Sequence, residues 1–227
     1  MTTRIRSLLP LMTLTLALGS TAACKSEIDN KPAAKVEEAG KKADDKDAKK
    51  ADAATPDAAK PAVVDLVLAK DKSKIGFLGA KQVGEHPGSF SDFSGTAKVS
   101  DGKLQALDIV VKMDSLEADV PDLTAHLKNA DFFDVPQFPE AKFSLLEVSE
   151  KAGENGATHE VAGNLEMKGQ AKKVTFPATI TISETEVKGK AEFKIDRTLW
   201  GITYAGMADN LIKNEVALTL DLVLTRA

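Results

Sequence analysis

Three histidines, one cysteine and a pair of aspartates are the residues of this chain whose types could do chemistry. His86, His126 and His159 stand in three separate segments, and none has a second His, Cys or carboxylate at a ligand spacing such as His-x-x-x-His. They are expected to be structural or surface histidines, and no metal set is expected. Asp131 and Asp134 bracket Phe132 and Phe133. They could be read as an acid and base pair, but carboxylates just past a short helix more often satisfy backbone amides of the following loop. The chain has no Gly-x-Ser-x-Gly elbow, no Gly-rich phosphate cradle and no Cys nucleophile paired with His. Its residues therefore present no catalytic constellation and no cofactor motif, and an enzyme is not expected.

Cys24 is the only cysteine. It closes a segment with Arg4 and Arg6, an apolar run from Leu8 to Leu18, and the small residues Thr21-Ala22-Ala23, which is the layout of a secretory signal. The run is too short to span a bilayer. A lone cysteine in an exported chain has no internal disulfide partner, so Cys24 is expected to be the lipidation site of a lipoprotein whose signal is residues 1–23. Inner and outer membrane are equally open as destinations on the periplasmic side.

Residues 24–61 are expected to form a disordered Ala/Lys/Asp/Glu tether. From Lys25 to Pro61 nine lysines offset nine acids, and apart from alanine the only aliphatic side chains are Ile28 and Val36. As a flexible coil it would hold a domain roughly 30–40 Å from an anchor at Cys24, at about 5–6 Å times the square root of its length. All nine phenylalanines, Trp200 and Tyr204 follow it, so residues 62–227 are expected to be one folded domain. A net charge of −4 argues against nucleic acid as a partner.

The elements that must position any site are strands. Leu107, Ile109, Val111 and Met113 alternate with polar residues, as do Val161, Leu165 and Met167. The same holds for Val174, Phe176, Ala178, Ile180 and Ile182, for Phe193 and Ile195, and for Val216 to Leu224. Shorter strands are expected near Ile75–Leu78, Phe93–Val99 and Ala141–Val148, with turns at Asp101-Gly102, Gly153–Gly156 and Lys168-Gly169. About eight antiparallel strands, each with one dry face, suit a closed barrel or a two-sheet sandwich, and periodicity does not choose between them. Val120–Asn129 breaks the pattern and predicts one short helix with Asp122 as its N-cap. The proline-rich aromatic stretch from Asp131 to Pro139 predicts a fixed loop.

A barrel of eight strands either fills its interior or holds one small ligand. Gly79 and Gly163 leave the inward faces sparse near them, and Phe132, Phe133 and Phe138 could form an apolar lip.

Four separated strings carry a family likeness. They are Gly88-Ser89-Phe90 through Phe93-Ser94-Gly95; Ala125-His126-Leu127-Lys128-Asn129-Ala130-Asp131-Phe132-Phe133 through Phe138-Pro139-Glu140-Ala141-Lys142-Phe143; Val161–Gly169 with Val174-Thr175-Phe176-Pro177; and Ile195-Asp196-Arg197 through Trp200-Gly201-Ile202. In this order they resemble the YceI-like, polyisoprenoid-binding family. The resemblance covers nearly all of the chain from about Val63. It implies an all-β, lipocalin-like, eight-stranded antiparallel barrel threaded by a long isoprenoid or quinone-type lipid, with no catalytic residues. Many members carry an Arg-Asp pair ahead of the His-Leu of the helix, where this chain has Leu123 and Thr124.

The expected site is therefore an apolar cavity lined by Phe77, Val111, Met113, Phe143, Leu165, Met167, Phe176, Phe193 and Leu220. Phe132, Phe133 and Trp200 are expected near its mouth, with Lys81 and His86 as a polar rim. The expected partners are a long-chain isoprenoid lipid and the membrane, and pairing of two domains into a homodimer is left open. Two other readings stand beside a lipid carrier: a ligand-free structural or interaction lipoprotein with a filled barrel, and a stress-linked redox factor acting through a bound quinone.

Overall fold

The computed structural model describes residues 26–41, 63–183, 185–207 and 210–226. The signal segment, Cys24 and the stretch from 42 to 62 lie outside the described residues. In chain order the strands are β1 (Lys35–Glu38), β2 (Val64–Leu68), β3 (Lys74–Ala80), β4 (Glu85–Phe90), β5 (Phe93–Ser100), β6 (Lys103–Lys112), β7 (Leu116–Ala118), β8 (Glu140–Glu150), β9 (His159–Met167), β10 (Gln170–Ile182), β11 (Glu186–Asp196), β12 (Gly206–Met207), β13 (Asn210–Leu211) and β14 (Glu215–Thr225). One α-helix, α1 (Pro121–Lys128), lies between β7 and β8.

Each long alternating run has become a strand, and the pairings decide between sandwich and barrel. β10, β9, β8, β6, β5, β2, β14 and β11 pair in that order, all antiparallel, and β11 returns to β10. The result is a closed eight-stranded barrel, which removes the free edges an open sheet would expose. One edge of β14 is shared: Leu224 and Thr225 pair with β2, while Ala217 to Asp221 pair with β3. At the break between β2 and β3, buried Ser73 accepts from Val223 N–H (3.0 Å) and donates to the Ala69 carbonyl (2.8 Å), replacing the missing ladder bonds. β3, β4 and β7 extend the wall at the end where α1 sits.

The helix occurs where expected but is capped differently. Val120 is the cap residue, without a side-chain bond, Pro121 opens the first turn, and Asp122 lies within that turn rather than capping it. Proline suits that position because its missing N–H would be unpaired there anyway.

The larger departure is at the N-terminus. Residues 26–41, expected to be structureless, form a strap along the barrel. Its first turn, Glu27–Asn30, is capped by Ser26, whose hydroxyl donates to Glu85, and Ile28 is 0% exposed against Ala80 and Ala217. Burying that one side chain contributes about 1.5–3 kcal/mol. The strap then enters the barrel wall. β10 and β11 pair only at Thr179–Ile182 with Val187–Lys190, and Pro177, which has no N–H to give, lies just before that run. Into the slot beyond come Ala34, whose N–H donates to the Lys194 carbonyl (2.9 Å), Pro32, which accepts from Lys194 N–H (2.9 Å), and β1, antiparallel to Lys172–Thr175. Val36 packs against the main core. Gly40 closes the strap through two bonds to Asn164.

Candidate functional site

The inward set of the barrel does not close on itself. It encloses a cavity of about 230 Å³ whose wall is almost wholly carbon. β6 contributes Leu107, Ile109 and Val111, β10 contributes Val174, Phe176, Ala178 and Ile180, and β14 contributes Val216, Leu218, Leu220 and Leu222. Val216 to Leu222 is six residue steps, so the cavity runs roughly 20 Å along the barrel at about 3.3 Å per residue. A space of that shape takes a narrow chain end-on.

Eleven of the apolar residues singled out from the sequence border this cavity: Phe77, Val111, Met113, Phe132, Phe133, Phe143, Leu165, Met167, Phe176, Phe193 and Leu220. Lys81 and His86 border it at the helix end, with Ile212. Phe176 and Phe193 stack face to face, centroids 4.0 Å apart, and bridge β10 to β11 on the inner side of the slot that the strap fills. Phe132 lies against Tyr204 and His126 (5.2 and 5.0 Å), which fixes the aromatic loop to the barrel end.

Trp200 is elsewhere. It is 0% exposed, does not border the cavity, and its indole N–H donates to the Leu165 carbonyl at 3.0 Å. A buried indole needs an acceptor, and this one was found in the wall rather than at the mouth. Trp200→Phe removes that bond and leaves a void beside the Leu165 carbonyl. The expected loss is ~2–4 kcal/mol, seen as a lower denaturant midpoint at unchanged slope.

Gly163 also differs from expectation, since the Phe143 ring lies over it where a side chain would stand, so it leaves no gap. Gly79 does border the cavity. Asp131 and Asp134 do not converge: Asp131 faces His126 Nε2 (3.3 Å), while Asp134 has φ 49° and its backbone carbonyl accepts from Gln137 and Phe138. Among the described residues no three metal-binding side chains come together. His86 pairs with Asp119 (3.1 Å), and His159 with the Thr158 hydroxyl (2.7 Å).

One residue at the cavity was missed. Arg197 is 5% exposed and borders the helix end. Its Nε donates to the Lys213 carbonyl (3.2 Å) and its two terminal nitrogens to those of Ile202 (2.5 Å) and Tyr204 (2.8 Å). Burial pushes its pKa down while the nearby Asp196 carboxylate acts the other way, and an arginine remains charged at neutral pH. Carrying the alternation of Phe193 and Ile195 two residues further would have placed it inward. Leu123 also borders the cavity, and Thr124 ties α1 to β7 by accepting from Ala118 N–H (2.9 Å).

Comparison with known proteins agrees with this architecture. A UPF0312 protein of Pseudomonas putida (strain GB-1) is 40% identical over 108 residues, 47% of this chain and 53% of that protein. A UPF0312 protein of Yersinia pestis (strain Pestoides F) is 32% identical over 96 residues, 41% of this chain and 48% of that protein. The chain thus spans about half the length of the curated relatives it matches. Among solved structures, BcnA of Burkholderia cenocepacia superposes with a TM-score of 0.57 at 22% identity, covering 69% of this chain and 98% of that one. A polyisoprenoid binding domain from Saccharophagus degradans, implicated in plant cell wall breakdown, gives 0.57 at 12% identity, covering 74% and 100%. These two show the fold. The family model of the YceI-like domain matches residues 66–224, from inside β2 to the penultimate residue of β14, and by that match the chain belongs to the YceI-like family.

Proposed function

We propose that this protein holds one long apolar molecule of isoprenoid type inside its barrel and carries it without converting it. The observation that supports this most is the carbon-walled cavity running the length of a closed barrel, since a barrel built only for stability packs its interior. The YceI-like membership and the polyisoprenoid binding domain of the same fold lend support. Each CH₂ moved from water into such a wall contributes about 0.8 kcal/mol, so length alone provides affinity.

The protein is proposed to act as a lipoprotein on the periplasmic side, anchored through Cys24. The seated strap changes the geometry such an anchor implies. Ser26, where the strap begins, is two positions after Cys24, so an acylated Cys24 would hold the barrel against the bilayer rather than 30–40 Å above it on a tether. Exposed Val83 and Met207 lie at the same end, where Gln82 N–H donates to the Leu211 carbonyl.

The test is native mass spectrometry of the full chain purified from bacterial membranes, followed by organic extraction. A stoichiometric isoprenoid is expected, and the intact mass reports acylation and any homodimer. An empty protein that also refuses added polyprenyl lipid overturns the carrier reading in favour of a structural role. Recovery of a quinone would direct attention to redox chemistry supplied by the ligand.

A further inference from the structure

The junction of β10 with β11 is completed by a segment from outside the barrel's own strands. Their ladder joins Thr179–Ile182 to Val187–Lys190. Continued in the same register it would set Phe176 opposite Phe193 and Thr175 opposite Lys194. Instead Thr175 pairs with Lys35 of β1, and Lys194 bonds to Pro32 and Ala34, so the strap stands between the two strands. One inserted strand sets its neighbours two strand spacings apart, roughly 9–10 Å, which is room for one extended chain. The strap lies outside residues 66–224, the part matched to the YceI-like family.

The cavity lies directly inside this seam. Val174, Phe176, Phe193 and Ile195 border it from the two strands, and the Phe176–Phe193 stack closes the gap from within. Outside the stack comes the strap, whose Ala34 and Val36 pack against the same core. The hold on the strap is uneven. Towards β10 it has four paired residues, and Gly40 adds two bonds to Asn164 of β9. Towards β11 it has two backbone bonds to Lys194 and the surface pair Lys31–Glu192, and such a pair is worth about 0–1 kcal/mol. Local opening is cheapest where backbone bonds are few and exposed. The helix end is better braced, with Phe132 against Tyr204 and His126 and Arg197 on three carbonyls.

We infer that the strap is a movable side wall of the cavity. It parts from β11, the Phe176 and Phe193 rings turn aside, and an apolar chain enters or leaves sideways through the seam; this rests on the apolar-chain reading above. With the strap seated, the same chain has to thread the barrel end-on over roughly 20 Å. A door of this kind changes the rates of entry and release alike and leaves the affinity as it was.

The test compares the full chain carrying C24S with the same chain carrying A33C/K194C as well. Cys24 is the only natural cysteine, so the introduced pair is the only one that can oxidise. Ala33 and Lys194 are bridge partners across the junction of strap and β11, within reach of a disulfide, and neither borders the cavity. The probe is retinol, an isoprenoid alcohol, followed by its fluorescence as it leaves the protein for an excess of phosphatidylcholine vesicles. Closing the pair is expected to slow release at least about tenfold, ~1.4 kcal/mol of barrier, with affinity unchanged within about twofold and the rate restored on reduction. An unchanged release rate, with intact mass showing the pair closed, overturns the inference and leaves the apolar-chain reading standing. A tenfold change in affinity makes the strap part of the binding wall rather than its door, and overturns it too. Binding of no retinol by the unlocked chain overturns both readings. Should the pair not oxidise, a short bismaleimide joining the same two thiols decides in the same way.

Discussion

Gly189→Phe is expected to shorten the longest chain the barrel accepts while leaving the fold as stable as before, or more so. Gly189 pairs with Ile180 and Leu222, both of which border the cavity, so a side chain at 189 enters the lumen. A Cβ built there meets nothing within 4 Å. A phenyl ring in that space displaces about four CH₂ units of a chain reaching this end, which at ~0.8 kcal/mol each is ~3 kcal/mol, or about a hundredfold in affinity. Short chains ending before Gly189 lose little. The protein itself gains buried apolar area and loses a glycine from a strand interior, worth roughly 0.5–1 kcal/mol against alanine. Titrating a series of tails of increasing length against both proteins checks this. If long tails bind the variant as well as the parent, the chain does not run the length of the barrel.

Ile28→Asp is expected to unseat the strap. The side chain is wholly buried against Ala80 and Ala217, and an unpaired carboxylate there costs several kcal/mol beyond the ~2–5 kcal/mol for the lost packing. The ion pairs that remain, Lys213 with Asp29, Lys31 with Glu192 and Lys172 with Glu38, lie on the surface and cannot compensate. Amide exchange at Ala34 and Lys194, which bond across the strap, should lose its protection, while the ladder between β8 and β9 keeps its own. Retained protection at Lys194 would show that the strap is held without Ile28.

The barrel face was legible because alternation reports which side chains share a surface. Val174, Phe176, Ala178 and Ile180 were read as one face and border one cavity. The choice of barrel over sandwich was not legible in the periodicity, since it resides in which strands pair; the family likeness implied the barrel, and the β10 to β11 return bears it out. The strap escaped for a related reason. Ile28 and Val36 stand eight positions apart without period, and what seats the segment between them is backbone bonding to Lys194 and β10, which leaves no mark on residue type. Gly163 was read as a gap because the register that brings Phe143 over it is a property of the folded pair. Trp200 was expected near the mouth, and one carbonyl at Leu165 draws its indole into the wall instead. Arg197 escaped because a charged residue after Ile195 does not read as part of an apolar inward face.

The strap also has a place in time. Its residues precede every other described part of the chain, yet Val36 faces Val174, and Ala33 bridges Lys194. The segment made first therefore has nowhere to dock until most of the barrel has been synthesised, and closing so long a loop is slow compared with forming the hairpins between neighbouring strands. During that interval β10 and β11 are joined only near their shared turn, and the wall between Lys172–Thr175 and Lys194 stands open along its side.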